Sequence, residues 1–108
     1  MLEIEKKLLD ITNDNILEYV DLLLDNYNTV DNKLFTKYVY NDLTHIYGYI
    51  KLYKWNEIIE IAFYEHYSQI DYNFGCGKIF IKKKINLTHK NYNIINKMID
   101  EFILLKDY

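Results

Sequence analysis

The apolar residues change their spacing twice along this chain, and that double change narrows the folds open to it. Ile16, Leu17, Val20, Leu23, Leu24 and Tyr27 follow the three, four, seven and eight spacing of one helical face. In residues 45–53 the pattern becomes strict alternation. Ile46, Gly48, Ile50 and Leu52 point one way, and Tyr47, Tyr49, Lys51 and Tyr53 the other. Helical spacing returns after Thr88, with Tyr92, Ile95, Met98, Ile99, Phe102 and Leu105 on one stripe. Helices flanking a run of strands imply an α+β fold: two N-terminal helices, a three- or four-stranded antiparallel β-meander, and a C-terminal helix packed on the sheet.

Local chemistry sets the expected boundaries. Residues 2–11 read as a short amphipathic helix with Ile4, Leu8 and Ile11 on one stripe. Thr12, Asn13, Asp14 and Asn15 then interrupt it, because short polar side chains compete for backbone hydrogen bonds. Asn15 with Glu18 three residues on has the form of a capping box opening the second helix. Strands are expected at 34–40, 45–53, 58–67 and 78–86, with turns at 41–42 and 71–77. In the third of these, Ile59, Ile61 and Phe63 face away from Glu60, Tyr64 and His66. A helical reading competes, since Phe35, Val39, Leu43 and Ile46, and likewise Ile58, Ile59, Ala62, Phe63 and His66, also sit at helical spacing. The density of β-branched and aromatic residues favours strands. Thr88 is placed to cap a helix over 89–106.

With 108 residues, half of them hydrophobic, the chain suits a single domain, 1–108, with a real core. Its longest uncharged apolar runs fall far short of the roughly 20 residues a membrane span needs, so no membrane is expected among its partners. The N-terminus alternates apolar and charged residues where a secretory signal would run apolar. One cysteine permits no internal disulfide and fits a reducing compartment, so a cytoplasmic location is expected, inside the host cell if the source is viral. Proline is absent and all 13 basic residues are lysine. Isoleucine, asparagine, lysine and tyrosine, all drawn from AT-rich codons, point to a bacterium, phage or virus with an AT-rich genome. Without arginine the chain has no guanidinium to read guanine or grip phosphate bidentately.

Catalytic chemistry finds little purchase. His45, His66, Cys76 and His89 are 21, 10 and 13 residues apart, without the short spacings that preorganise a metal site, so neither metal nor cofactor is expected. Gly75-Cys76-Gly77 leads into a strand rather than a helix and reads as a tight turn, not a phosphate loop. No carboxylate pair has the spacing of an acid/base couple, and no catalytic residue is assigned.

Charge is distributed unevenly. Residues 1–71 hold thirteen acids against six lysines (net −7), residues 72–99 six lysines and no acid (+6), and the last nine residues contribute −2. On the second helix Glu18, Asp21 and Asp25 form one acidic stripe opposite the core, extended by Asp14 and Asp10. This is either an ordinary solvated face or a ridge that docks into a basic groove as nucleic acid would. Lys78, Lys82 and Lys84 share a strand face with Phe80, and Lys90 follows. They either protect a sheet edge or set phosphate contacts beside a stacking aromatic. Twelve tyrosines are the remaining feature, and Tyr47, Tyr49 and Tyr53 line a strand face suited to an interface.

In size, charge and composition the chain resembles the small acidic inhibitors of phages and bacteria, such as toxin-immunity and anti-CRISPR proteins. That resemblance implies a protein that binds and blocks a nucleic-acid-acting enzyme or complex without catalysis, using the acidic helix face and the tyrosine strand face. Two other expectations stand beside it: a nucleic-acid-binding module using the lysine strand, and a structural subunit that forms a homodimer through its tyrosine face.

Overall fold

The computed structural model describes the backbone of residues 3–33, 36–65 and 79–106, and side chains within 3–28, 36–64 and 79–100. Helix α1 (Glu3–Lys7) passes directly into a 3-10 turn (Leu8–Asp10), followed by α2 (Ile16–Asn26). Five strands come next: β1 (Asn28–Lys33), β2 (Thr36–Asn41), β3 (Ile46–Tyr53), β4 (Ile58–Glu65) and β5 (Ile79–Asn86). Helix α3 (His89–Lys106) closes the order. The strands lie side by side in sequence order, every neighbour antiparallel, so the α+β architecture with an antiparallel meander is the one expected. The helical alternative for the middle of the chain is overturned, because Val39 and residues 58–63 lie in β2 and β4. His66, the 71–77 turn, Cys76 and Lys78 lie outside the described residues.

One strand was not expected. β1 reads Asn-Thr-Val-Asp-Asn-Lys, with a single apolar residue and so no alternation to betray it. Among the described residues it is an edge strand, paired with β2 alone, and a bulge between Thr29 and Asp31 interrupts its register. Polar, bulged edges of this kind discourage further strand addition.

The helices share one face of the sheet. Ile4, Leu8 and Ile11 join Ile16, Val20, Leu23 and Leu24 of α2 and Tyr92, Ile95 and Ile99 of α3 over Val39, Ile50, Leu52, Ile59, Ile61, Phe63 and Ile81. Burying each large aliphatic of this set is worth about 1.5–3 kcal/mol. The α3 stripe is as expected through Ile99, with Met98 half-buried against the same cluster.

Polar groups fix the element ends. Thr88 Oγ1 accepts from Asn91 N–H (3.2 Å) and caps α3. The expected capping box at Asn15 is not formed: its Oδ1 accepts from Thr12 N–H (2.7 Å) and its Nδ2 donates to Asp10 O (3.2 Å). The interrupting loop instead clasps the far end of the chain. Asn13 Nδ2 donates to Asn86 O (2.9 Å), Asn13 Oδ1 accepts from Thr88 N–H (2.9 Å), and Asn91 Nδ2 donates to Asn13 O (2.8 Å).

Inside the core one acid was not foreseen. Glu5 is fully buried and accepts a hydrogen bond from the Tyr27 hydroxyl, while Tyr19 OH donates to Ile4 O (2.8 Å). Burial, reinforced by the nearby Glu5 carboxyl, raises both phenols above their ordinary range.

Candidate binding surfaces

The sheet separates two surfaces of different chemistry. On the helix side, Asp10, Asp14, Glu18, Asp21 and Asp25 are all exposed, because the other face of α2 is spent on the core. Leu22 stands among the α2 carboxylates, four residues after Glu18 and three before Asp25, and is 45% exposed. Leu9, in the 3-10 turn, is 58% exposed. Between these elements lies a depression of about 460 Å³ lined by Lys7, Asp10, Ile11, Asn15, Glu18, Tyr19 and Leu22.

The opposite face of the sheet carries no described helix, and its side chains form rows across the strands. The first is Tyr40–Tyr47–Tyr64, the second Tyr38–Tyr49–Ala62–Lys82, and the third Thr36–Lys51–Glu60–Lys84. Rings in the first row pack in series, with centroids 4.4 Å apart for Tyr40 and Tyr47 and 5.9 Å for Tyr47 and Tyr64. Tyr64, at the end of that row, is fully buried, whereas Tyr38, Tyr40, Tyr47, Tyr49 and Tyr53 are half-buried.

Glu60 anchors the third row. Its side chain is almost wholly buried, and it accepts from Tyr49 OH (2.6 Å) and Tyr53 OH (3.3 Å). Burial first, then the Glu60 carboxylate, pushes the Tyr49 phenol above its ordinary range, so it remains a donor. With its oxygens serving the phenols, Glu60 forms no ion pair with either lysine of its row among the described residues. Lys51 and Lys84 place their ammonium groups 4.7 and 4.6 Å from the Tyr53 ring centroid instead. Thr36, Tyr38, Tyr49, Lys51 and Glu60 together line a depression of about 240 Å³.

The structure therefore sorts the sequence candidates differently. Glu18, Asp21 and Asp25 form the exposed stripe foreseen, but Tyr47, Tyr49 and Tyr53 lie across the sheet from it, so no single flat contact covers both. Lys82 and Lys84 share the tyrosine face. Phe80 does not share it: a β-bulge opposite Phe63 and Tyr64 shifts the β5 register there. Ile79 is thereby opposite Tyr64 and exposed, and Phe80 packs toward the core. Lys90 stands apart at the start of α3, exposed. Sequence reading missed the meeting of Glu60 with Tyr49 and Lys51, although the alternation of both strands and a four-residue loop between them imply it.

Two four-residue loops tip the β3 hairpins. Each ends on a residue with positive φ, His45 (57°) and Glu57 (52°). His45 Nδ1 shares a hydrogen bond with Tyr40 OH (2.8 Å), and Glu57 pairs with His89 Nδ1. Leu43 and Trp55 project from these tips, 93% and 92% exposed. His89 also contacts Asn93, so the Glu57–His89 pair ties the β3–β4 loop to the start of α3. Among the described residues no group of three or more histidine, cysteine or acidic side chains is gathered to hold a metal ion. None of their helices is long and apolar enough to cross a membrane. No known family, curated protein or solved structure matches the chain.

Proposed function

We propose that this is a non-catalytic binding protein that sequesters a nucleic-acid-acting protein through its helix side. The observation that carries this reading is an apolar spot on the acidic stripe of α2: Leu22 lines a depression of about 460 Å³ with Asp10, Glu18 and Lys7, and exposed Asp21 and Asp25 flank Leu22 on the same helix. Interfaces combine an apolar centre with a polar rim, and a rim in which one sign prevails favours a partner of the other. A groove that binds nucleic acid is basic, and these acids offer it the charge that phosphates would. Opposite potentials raise association rates and lose that advantage as salt is added.

The test compares the wild-type chain with a Glu18→Lys/Asp21→Lys/Asp25→Lys variant. Proteins are captured on each from nuclease-treated lysate, and association rates are then measured for the purified partner. The expected partner is basic, associates at least roughly tenfold more slowly with the variant, and loses its own nucleic-acid activity when the wild-type chain is added. A partner that binds both proteins at equal rates would rule out the acidic stripe.

A further inference from the structure

We infer that the depression between the 3-10 turn and α2 receives an arginine side chain of the partner. The inference rests on the helix-side reading and deepens it, because it names the residue type by which a basic groove would be gripped.

The lining joins apolar surface to free acceptors. Ile11 and Tyr19 are buried and Leu22 is half-exposed, so the floor is largely hydrocarbon. Tyr19 spends its hydroxyl hydrogen on Ile4 O (2.8 Å) and offers no free donor. Asn15 is occupied at both side-chain polar atoms, by Thr12 N–H and by Asp10 O. Its bond to Asp10 O also ties the 3-10 turn to the start of α2, which fixes the two carboxylate-bearing elements against each other. The carboxylates of Asp10 and Glu18 are exposed, and neither has a hydrogen bond or ion pair among the described residues.

Two lysines stand close by. Lys7 lines the depression, but its ammonium lies 3.6 Å from the Glu3 carboxylate on its own helix. Lys83 donates to Leu9 O (3.1 Å) and forms no ion pair with Asp10 among the described residues. The lining therefore sets two unpaired acids against one lysine that has an acid of its own.

Hydrocarbon beside carboxylate suits a guanidinium better than an ammonium. The guanidinium is flat and weakly hydrated, so it lies on apolar and aromatic surface while its edge donates to carboxylates. An ammonium holds its water more firmly and loses more on leaving it. Arginine is also the side chain with which a nucleic-acid groove grips phosphate and reads guanine. All 13 basic residues of this chain are lysine, so a second copy of it has no arginine to offer and is the poorer occupant.

The experiment is an NMR titration of the full chain, followed at the Ile11 and Leu22 methyl groups. The probes are three glycine-flanked peptides, identical but for a central arginine, lysine or citrulline. The arginine peptide should shift both residues and saturate in roughly the millimolar range, as expected for a ligand of this size. The lysine peptide should bind at least about threefold more weakly, and the neutral citrulline peptide should give no saturable shift. Glu18→Gln should weaken the arginine peptide about threefold and Lys7→Gln should tighten it about twofold, both at exposed positions that leave the core untouched. Equal affinity for the arginine and lysine peptides, shifts that never saturate, or an arginine affinity unmoved by Glu18→Gln would each overturn the inference. The peptides need no partner, so such a result removes the arginine assignment alone, while the helix-side reading stands or falls on the partner's association rates.

Discussion

Replacing Gly48 with alanine adds one methyl group and should cost this protein about 2 kcal/mol. Gly48 lies on the core side of β3, opposite Phe63 of β4. A Cβ there would stand 2.8 Å from Phe63 Cδ1 and 2.9 Å from the Ala62 carbonyl oxygen. The carbonyl is main chain in a central strand and cannot swing aside. The Phe63 ring is held in turn by Tyr27, 5.5 Å away between centroids, and Tyr27 is tied to the buried Glu5. Relief therefore requires either a local parting of β3 from β4 or a shift of the ring into its packed neighbours. Overpacking of this kind costs about 1–3 kcal/mol. With two contacts below 3.0 Å, one of them main chain, the overpacking sits at the top of that range, and reduced freedom of the unfolded chain returns about 0.4–1 kcal/mol, leaving a net of about 2 kcal/mol. Unfolding entropy of about 2.1 cal/mol/K per residue converts a 2 kcal/mol loss into a Tm drop of about 9 °C for a chain of this length. Urea titration followed by circular dichroism measures the loss directly. Phe63→Leu supplies the second corner of a double-mutant cycle and should absorb part of the penalty. A Gly48→Ala protein as stable as wild type would refute the close-approach argument.

Three further outcomes follow from the same geometry. Tyr27→Phe removes the only hydrogen bond donated to Glu5 among the described residues and should cost about 1–3 kcal/mol by urea titration, whereas Tyr53→Phe, at a half-buried position, should cost less. The raised phenols of Tyr19, Tyr27 and Tyr49 stabilise the fold fully below the unfolded phenol value of about 10, and that contribution is lost as pH climbs toward their folded values; the urea midpoint should therefore fall between pH 9 and 11, and an unchanged midpoint would contradict the burial of these hydroxyls. Thr88→Ala should cost about 1 kcal/mol through loss of the α3 cap, while Trp55→Ala should leave stability within about 0.5 kcal/mol, both read from denaturation midpoints.

Element type was legible wherever one periodicity ran long enough to exclude the other. The stripe of α2, the alternation of β3 and the Thr88 start of α3 all carried through because each reflects a face committed to the core. β1 was not legible, since an edge strand of polar residues owes its shape to hydrogen bonds from β2 rather than to its own pattern. Phe80 was misplaced for a related reason: one bulged residue reverses the faces beyond it, and no local signal marked the bulge. For the candidate surfaces, the acidic stripe could be read from one helix alone. The Glu60 row required the pairing of three strands, which emerges only once the register between them is known.

β4 leaves no solvent-facing position between Ile59 and Tyr64, for all six consecutive residues are buried. In most half-covered sheets an inner position alternates with one free to drift, so a tolerance map of the strand shows a period of two. Here it should show an unbroken intolerant block. The two surfaces accordingly cannot be tuned separately along this strand. A change at Glu60 or Ala62 on one side is transmitted through Ile61 and Phe63 to the packing on the other, and adaptation of either surface must come from β2, β3, β5 or the helices.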